Sequence, residues 1–339
     1  MTPLLEVEDL VVEIRRHKTA FRAVDGVSFS VERGGALAIV GESGSGKSLT
    51  LRAIMGLLPS AGRMVSGRVA VDGVDLAPDA LGHGHRHPRR ERMSIVFQDA
   101  LSALNPVATV GNQIAEAPRH VLGLGRRASR ERALELLRLV GIADPERRYR
   151  AYPHELSGGT RQRVMIAIAL SSDPAILLCD EPTTALDVTI QTQILALLAE
   201  LRTTRGLSLV FVTHDLSVVG QVAEHLAVMY TGRLVETGPA GSVLASPRHP
   251  YTAGLMAAAL DVDTPEREPL VIPGSLPDPM RLPSGCTFHP RCSFATSACA
   301  TTDVRLKPVG KGRQAACLHS DTLAAAQETA LVTEGPGRG

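Results

Sequence analysis

The sequence contains no tryptophan, and aromatic residues make up only 3% of its 339 residues. It therefore offers few side chains on which single-stranded bases could stack. An excess of positive charge is also missing, because 36 Lys and Arg residues face 35 Asp and Glu residues and the net charge is +1. A chain with this balance has no basic field that would recruit nucleic acid or an anionic lipid surface. These absences argue against a nucleic-acid-binding protein.

Long apolar runs are absent as well. A membrane-spanning helix needs about 20 consecutive apolar residues, whereas the longest runs, such as Val164–Leu170 and Ala175–Cys179, are far shorter. The first residues, MTPLLEVEDL, carry acids early and have no basic region, unlike a secretory signal. We therefore expect a cytoplasmic chain without a bilayer span. Since disulfides are rare in that compartment, the five cysteines need another explanation.

The elements that the chain does contain follow an α/β order. Hydrophobic residues make up 44% and charged residues 21% of the chain, the mix of a packed globular protein. Leu4–Ile14, Ala23–Val31 and Ala36–Val40 are predicted strands, since they are rich in Val, Ile and other apolar residues and are separated by glycine turns. A glycine-rich loop, Gly41–Gly46, and a predicted helix, Leu49–Leu58, follow. Strand, glycine loop and helix begin an α/β unit with a buried parallel strand.

The middle of the chain, residues 99–170, is predicted to be mostly helical. Ser129 is a candidate N-cap for one of these helices, and another helix is predicted over Gly158–Leu170. Two later apolar runs, Ile176–Cys179 and Leu207–Val212, are predicted strands that end in polar residues. Because ligands bind at the carboxyl ends of such strands, we expect the chemistry there.

The glycine-rich loop matches the phosphate-binding pattern GxxxxGK[ST] in full, between a predicted strand and a predicted helix. Glycines let the backbone curl so that successive N–H groups point at phosphate oxygens beside a helix N-terminus. The lysine would reach the β- and γ-phosphates, and the final hydroxyl would ligate Mg²⁺. The predicted nucleotide-binding residues of this loop are Gly41, Glu42, Ser43, Gly44, Ser45, Gly46, Lys47 and Ser48.

Two adjacent acids, Asp180 and Glu181, follow the apolar run Ile176–Cys179. Asp180 is placed to hold Mg²⁺, and Glu181 is placed to orient and polarise an attacking water. Alone, two acids after a strand indicate little. Together with a phosphate loop, they predict nucleotide hydrolysis.

A third motif, Leu156-Ser157-Gly158-Gly159-Thr160, opens a predicted helix just before the strand that carries the acids. By itself it would read as a serine N-cap with glycines at a helix start. In this order of motifs, the chain resembles the nucleotide-binding subunit of an ABC transporter, whose LSGGQ-like signature stands at this place. The resemblance implies that Ser157 and Gly159, with Gly158 in the same ATP-binding segment, contact the γ-phosphate of ATP held by the opposite subunit. The fifth signature position is Thr160 instead of Gln.

The resemblance implies three further functional residues. Gln98, after the predicted strand Met93–Phe97, matches the glutamine that senses Mg²⁺ and faces the membrane subunits. Asp187 matches the dimer-contact loop, and His214 matches the switch histidine that contacts the γ-phosphate. The expected Mg²⁺ residues are therefore Ser48, Asp180 and Gln98.

The adenine contact is less well defined. The family stacks adenine on an aromatic residue upstream of the phosphate loop. Phe21 is the candidate, and by register the non-aromatic Ile14 or His17 are the alternatives.

The C-terminal part narrows the resemblance. The segment His249-Pro250-Tyr251-Thr252 resembles a segment of the ATPases that serve dipeptide, oligopeptide and nickel importers. A run from Leu282 to Cys292 resembles the cysteine-bearing tail of the same group.

Four cysteines in this tail follow the spacing C-x5-C-x6-C-x17-C, namely Cys286, Cys292, Cys299 and Cys317. Such a group in a cytoplasmic protein indicates a thiolate-ligated metal site, which sulfur chemistry alone leaves open between Zn²⁺ and an iron–sulfur cluster. The spacing lacks the short CxxC units of structural zinc, and the resemblance implies [4Fe–4S]; zinc and free thiols are the alternatives.

Other metal and thiol candidates have simpler interpretations. His289 and His319 lie near the four cysteines in sequence, in solvated or supporting roles rather than as ligands. Cys179 reads as a small core residue. The histidines His83, His85 and His87 read as part of a solvated loop, with metal binding as the alternative.

The resemblance covers residues 4–320 and implies a division of the chain. A RecA-like phosphate-loop ATPase core with an N-terminal antiparallel β subdomain would comprise residues 1–98 and 171–261. The helical signature subdomain would comprise residues 99–170. A cysteine-rich C-terminal extension would span residues 262–320, and residues 321–339 would form a disordered tail.

The implied function is the ATP-hydrolysing subunit of an ABC importer for dipeptides, oligopeptides or related solutes such as nickel. It would lie peripherally at the cytoplasmic face of the cell membrane, with two membrane permease subunits, a second identical or homologous ATPase subunit and an extracytoplasmic solute-binding protein as partners. The alternatives are a soluble ABC ATPase of DNA repair or translation and an exporter ATPase.

Overall fold

Two β-sheets organise the described part of the chain, which in the computed structural model comprises residues 2–16, 19–76, 92–184, 186–260 and 272–323. The strands are β1 (Leu5–Arg16), β2 (Thr19–Val31), β3 (Ala36–Val40), β4 (Gly62–Val71), β5 (Val74–Asp75), β6 (Met93–Val96), β7 (Ile176–Asp180), β8 (Ser208–Thr213), β9 (His225–Tyr230), β10 (Arg233–Pro239), β11 (Lys307–Gly310) and β12 (Arg313–Ala315).

The helices pack around these sheets, and short 3₁₀ turns cover Pro153–Glu155, Leu216–Val218 and His289–Arg291. The α-helices are α1 (Lys47–Met55), α2 (Ala100–Ala103), α3 (Val110–Ile114), α4 (Glu116–His120), α5 (Arg126–Leu139), α6 (Pro145–Tyr149), α7 (Gly158–Leu170), α8 (Val188–Arg205), α9 (Val219–Val222), α10 (Ala240–Ala245), α11 (Pro250–Leu260) and α12 (Ser297–Thr301).

The smaller sheet is antiparallel, with the strand order β2-β1-β4-β5. β1 and β2 form a long hairpin in which Leu5 lies opposite Val31 and Arg16 lies opposite Thr19. Both strands run further toward the turn than the sequence predicted. Their turn-proximal residues are exposed, so the alternation of apolar and polar residues that marks a strand is lost there.

The larger sheet is mixed, with the order β11-β12-β10-β9-β3-β8-β7-β6. The strands from β9 to β6 are parallel, and every residue of β3, β7 and β8 is buried because both faces of the sheet are covered. β3 has the predicted bounds, and β7 and β8 lie within one residue of theirs. The phosphate loop after β3 and the acids after β7 therefore meet at the carboxyl edge of one sheet.

The helices between β6 and β7 form the predicted helical region, and α7 has the predicted bounds. The prediction of Ser129 as an N-cap is wrong. α5 begins at Arg126 after Gly125, and Ser129 is buried inside it, with its hydroxyl donating to the carbonyl of Leu124 at 3.2 Å. Arginine and alanine favour helix formation, so the helix extends a turn upstream of the serine.

Residues 272–323, called the carboxyl-terminal segment below, extend the larger sheet. β12 pairs with β10 and β11 pairs with β12, all antiparallel. A buried ion pair of 2.8 Å joins Arg313 of β12 to Glu236 of β10. The predicted boundary between core and extension falls within residues 261–271, outside the described residues, so the division of the chain into subdomains stays a prediction.

Among the described helices, none has both the length and the apolar character that crossing a bilayer requires. His17, His83, His85 and His87 lie outside the described residues, as does the tail from residue 324. At the start of the predicted tail, Leu323 is buried and its N–H donates to the carbonyl of His319 at 3.0 Å.

Candidate active site

The phosphate loop joins β3 to α1, and close backbone contacts require glycine at two of its positions. Gly46 has a φ of +107°, and a Cβ there would lie 2.7 Å from the carbonyl oxygen of Ala23. A Cβ on Gly41 would lie 2.2 Å from the carbonyl oxygen of Met229. The loop therefore packs so closely against neighbouring backbone that a side chain at either position would clash. This close packing fixes the curled conformation of the loop.

Lys47 is buried beneath this loop. Its ammonium donates to the carbonyls of Gly41 at 2.8 Å and Glu42 at 3.0 Å, and it lies 3.7 Å from a carboxylate oxygen of Glu181. Burial lowers the pKa of Lys47, against the opposing effect of the Glu181 and Asp180 carboxylates. The loop therefore holds a positive charge between its own carbonyls and the acids that follow β7.

Ser48 and Asp180 form an oxygen pair at the same place. The Ser48 hydroxyl donates to Oδ1 of Asp180 at 2.6 Å, and Asp180 is 1% exposed. Burial raises the pKa of Asp180, although the hydrogen bond from Ser48 lowers it in part. Hydroxyl and carboxylate oxygens are ligands that Mg²⁺ accepts, so this donor set fits the predicted metal-holding residues.

Glu181 is contacted by two of the other predicted residues, Gln98 and His214, and by Thr184, which was not predicted as a site residue. Its backbone has a φ of +47°, a conformation that is uncommon for a residue with a side chain and that clusters at functional sites. Its Oε2 is contacted by Gln98 Nε2 at 3.1 Å, Thr184 Oγ1 at 3.0 Å and His214 Nδ1 at 3.1 Å. The strained backbone thus aims the carboxylate at the amide, hydroxyl and imidazole that surround it.

Some of these groups border a cavity of about 390 Å³, whereas Asp180, Thr184 and His214 are not among the described residues of its wall. Its wall includes Lys47, Ser48, Gln98 and Glu181, together with three more residues of the phosphate loop, Ser43, Gly44 and Gly46. Three predicted loop residues, Gly41, Glu42 and Ser45, are not among the described residues of this wall.

The carboxyl-terminal segment supplies part of the same wall, a contribution that no motif in the sequence predicted. The contributing residues are Leu276, Pro277, Pro279 and Leu282. The first three stand in a stretch without periodicity or motif, and the motif that begins at Leu282 gives no sign of this contact, so only the folded chain shows that these residues border the cavity.

The signature residues lie elsewhere on the chain. Ser157 is the N-cap of α7, where its hydroxyl oxygen accepts from the N–H of Thr160 at 3.4 Å. Ser157 and Gly158 are exposed, and neither they nor Gly159 belong to the described wall of the cavity. Asp187, the N-cap of α8, likewise stands outside that wall and accepts from the N–H of Ile190 at 2.9 Å.

Phe21 is the one predicted adenine contact that borders the cavity. It is half-buried in β2, beside Arg22 and Ala23, which also border the cavity. Ile14 is not among the described wall residues, and His17 lies outside the described part of the chain. The position of Phe21 fits an adenine contact, and its role stays a prediction.

The four tail cysteines converge on a second, small cavity of about 20 Å³ that is also bordered by His249, His289 and His319. All four are free thiols, and burial raises the pKa of Cys286, Cys292 and Cys317, the last to about 11. Within the described residues, no group of three or more His, Cys, Asp or Glu side chains could hold a metal ion. The structure therefore gives no support to the predicted zinc or [4Fe–4S] site beyond the convergence of the thiols.

The other histidine and cysteine candidates, His289, His319 and Cys179, have the following contacts and burial. His289 Nδ1 lies 2.9 Å from the carbonyl of Cys286, and His319 Nε2 lies 3.5 Å from Sγ of Cys299. Cys179 is fully buried in β7, as the core interpretation predicted, and burial raises its pKa well above the usual range.

Comparison with protein families gives two matches along the chain. Residues 24–184 match the family described as ABC transporter, and residues 235–299 match the family described as oligopeptide/dipeptide transporter, C-terminal region. The first range contains the phosphate loop, both acids and the signature. The second contains the His249–Thr252 segment and the first three tail cysteines.

Curated relatives match most of the chain. A dipeptide transport ATP-binding protein of Escherichia coli, DppD, is 43% identical over 93% of this chain and 96% of its own length. A putative peptide import ATP-binding protein of Brucella abortus is 45% identical over 93% of this chain and 94% of its own length. An oligopeptide transport ATP-binding protein of Mycobacterium tuberculosis, OppD, is 47% identical over 95% of this chain, which spans only 53% of that longer protein.

Solved structures share the fold. The dimeric ATP-binding cassette MJ0796, bound to ADP and Pi, superposes with a TM-score of 0.61 at 28% identity and covers 70% of this chain and 98% of its own. The protein cbiO1 of Clostridium perfringens, part of the ABC transporter complex cbiONQ, gives a TM-score of 0.61 at 27% identity, covering 78% of this chain and 97% of its own. The mixed α/β arrangement is thus that of an ATP-binding cassette.

Proposed function

The chain belongs to the family of ABC transporter ATP-binding proteins, and we propose from this premise that it hydrolyses ATP to drive an importer of dipeptides, oligopeptides or a related solute such as nickel. The observation that carries the proposal is the convergence of Gln98, Thr184 and His214 on the carboxylate of Glu181, 3.7 Å from Lys47. The names of the relatives and the C-terminal family match support a peptide as the solute.

In the proposed reaction, Glu181 orients and polarises the water that attacks the γ-phosphate. Its carboxylate is held at Oε2 by contacts with Gln98, Thr184 and His214, so it is fixed before the water arrives. Lys47 neutralises charge on the β- and γ-phosphates, and His214 contacts the γ-phosphate from the end of β8.

Ser48, Asp180 and Gln98 are the residues that would hold Mg²⁺. When bound, the ion neutralises phosphate charge during transfer. The hydrogen bond between Gln98 and Glu181 links the magnesium-sensing side chain to the proposed water-activating carboxylate.

We propose that two ATPase subunits, identical or homologous, complete each other's sites. Ser157, Gly158 and Gly159 stand outside the described cavity wall and expose the start of α7, so they are free to meet nucleotide on an opposite subunit. The dimeric state of the similar cassette MJ0796 supports this arrangement. Asp187 would lie at the contact between the two subunits.

The further partners proposed are two membrane permease subunits and an extracytoplasmic solute-binding protein, with this chain at the cytoplasmic face of the membrane. The relatives named for peptide import support the importer over an exporter ATPase or a soluble ABC ATPase of DNA repair or translation.

For the four tail cysteines, we propose a [4Fe–4S] site, with zinc as the alternative. The support is the convergence of four buried or half-buried free thiols on one cavity, together with the family resemblance. Thiolates suit such a cluster, but the cavity of about 20 Å³ holds no more than a single water. The side chains would therefore have to move apart to admit it.

Reconstitution tests the function directly. The chain is co-expressed with its two membrane subunits, placed in proteoliposomes and supplied with the solute-binding protein and either radiolabelled dialanine or radioactive nickel. We expect ATP-dependent inward accumulation of one of these solutes. It should be lost in Glu181→Gln and kept in Glu200→Gln, which changes an exposed acid on α8. Outward transport, or hydrolysis by a chain that never associates with membrane subunits, would contradict the proposal.

A further inference from the structure

The side chain of Glu42, the second residue of the phosphate loop, binds the carboxyl-terminal segment. Its two carboxylate oxygens accept from the two terminal nitrogens of Arg291 at 2.7 and 2.9 Å, a bidentate pair. The Arg291 side chain is 6% exposed. A paired, buried and bidentate arginine is geometrically specific, because its planar fork fits the carboxylate in one orientation.

Arg291 is itself held on several sides. Its Nε donates to the carbonyl of Pro273 at 2.8 Å, and one terminal nitrogen lies 3.4 Å from the hydroxyl of Tyr230. The guanidinium also lies over the rings of Tyr230 and Phe288, about 6 Å from each centroid. Its orientation is therefore fixed by the segment and the core together.

The backbone of Glu42 is anchored at both ends. Its N–H donates to the hydroxyl of Tyr251 at 2.8 Å, and its carbonyl accepts from the ammonium of Lys47 at 3.0 Å. One residue thus connects the buried arginine to the lysine that reaches for phosphate. Movement of the Glu42 side chain would shift the peptide group on which Lys47 rests.

We propose that Arg291 is a positioning residue for ATP binding: through Glu42 it holds the phosphate loop and Lys47 in the arrangement that receives the nucleotide phosphates. The inference rests on the proposed function. It makes the carboxyl-terminal segment part of the nucleotide site, in keeping with the residues from 276 to 282 that border the same cavity.

A second buried arginine provides a matched control. Arg313 joins the same segment to the same core, pairs with Glu236 at 2.8 Å and is equally buried at 7% exposure of its side chain. Its described partners are Glu236 and the carbonyl of Ser246, none of them in the phosphate loop. Arg313→Lys and Arg291→Lys therefore both disturb the attachment of the segment, but only Arg291→Lys changes a direct contact with Glu42.

The experiment measures the dissociation constant of MgATP by calorimetry, on the full chain, for Arg291→Lys, Glu42→Gln, the double variant and Arg313→Lys, with a thermal melt of each. We expect Arg291→Lys and Glu42→Gln each to weaken binding about tenfold, as loss of a charge-assisted hydrogen bond does. The double variant should be no weaker than the worse single one, because both changes break the same contact. Arg313→Lys should lower the melting temperature and leave the constant unchanged.

Three results would overturn the inference. Unchanged MgATP binding in Glu42→Gln, additive losses in the double variant, or an equal loss in Arg313→Lys would each show that Arg291 only holds the segment in place. Should Arg291→Lys fail to fold, unchanged MgATP binding in Glu42→Gln would still overturn the inference. Failure of the unaltered chain to bind MgATP would instead overturn the proposed function, and this inference with it.

Discussion

The hydroxyl of Ser48 donates a hydrogen bond of 2.6 Å to the carboxylate of Asp180, although 132 residues separate the two along the chain. Ser48 lies in the first turn of α1, directly after the phosphate loop, and Asp180 is the last residue of β7. β3 and β7 flank β8 in the sheet, so the residues at the carboxyl ends of both strands gather at one edge. The contact therefore joins the phosphate-binding motif and the acidic motif into one candidate magnesium site.

Glu181→Gln is expected to keep ATP binding and to lose most hydrolysis. Glutamine retains the size of the side chain but cannot act as a base toward water, so turnover should fall by about 100-fold or more. The measurement is phosphate release by the assembled complex, beside the MgATP dissociation constant of the same variant. Turnover near that of the unaltered complex would remove Glu181 from the proposed role.

The sequence predicted those parts of the site whose residues are local in the chain. Ala36–Val40 and Gly158–Leu170 carry their own boundaries, since a glycine loop follows the first and a serine N-cap precedes the second. The prediction of Ser129 as an N-cap failed because the residues just before it already favour helix, so α5 begins upstream of the serine. A local pattern shows that a residue can cap a helix, but the helix propensity of the neighbouring residues decides whether the helix begins there.

The contacts that the sequence could not show are the distant ones. Glu42 and Arg291 are 249 residues apart, and nothing in either neighbourhood marks the other as its partner. The same holds for Leu276 and Leu282, which border the candidate nucleotide-binding cavity from a stretch without periodicity. Such contacts depend on the path by which β11 and β12 return to the edge of the larger sheet, and that path is a property of the whole fold.

A pH-dependent contribution to stability is expected from Asp25, an 8%-exposed residue of β2. Burial raises its pKa, but hydrogen bonds and charge from Arg233, with help from Arg22 and Arg305, lower the pKa overall. A carboxyl whose pKa is depressed in the folded state stabilises it above the unfolded value of 3.8 and loses that contribution as pH falls through the folded value.

Asp25→Asn should therefore lower the free energy of unfolding by about 2 kcal/mol at pH 7, and the difference should shrink as pH falls below 3.8. Urea unfolding at a series of pH values measures this. Asp75→Asn is the control, because its carboxylate is 61% exposed beside Arg68, and an exposed pair contributes less than about 1 kcal/mol. A difference between Asp25→Asn and the unaltered chain that stayed constant from pH 7 to pH 3 would contradict the assignment.

Iron analysis tests the cysteine proposal. Protein purified without exposure to air should be brown and contain about four irons per chain, as a [4Fe–4S] cluster requires. Cys286→Ser should reduce the iron content, whereas Cys179→Ala, which removes the buried thiol of β7 outside the group, should leave it unchanged. One equivalent of zinc without iron would favour the alternative, and neither metal would leave the four residues as free thiols.

Action of the signature on the opposite subunit is tested by separating two changes onto two chains. A dimer that pairs Lys47→Ala with Ser157→Arg keeps one site in which both the phosphate loop and the opposite signature are intact. A dimer that pairs the double variant with an unaltered chain keeps none, although it carries the same two changes. Different affinity tags on the two chains allow each mixed dimer to be purified alone. Where the natural partner is a homologous subunit, the second change is placed on that subunit.

We expect hydrolysis in the first dimer and not in the second, because Ser157 lies outside the described wall of its own chain's cavity. Hydrolysis by the second dimer and not by the first would mean that each chain completes its own site.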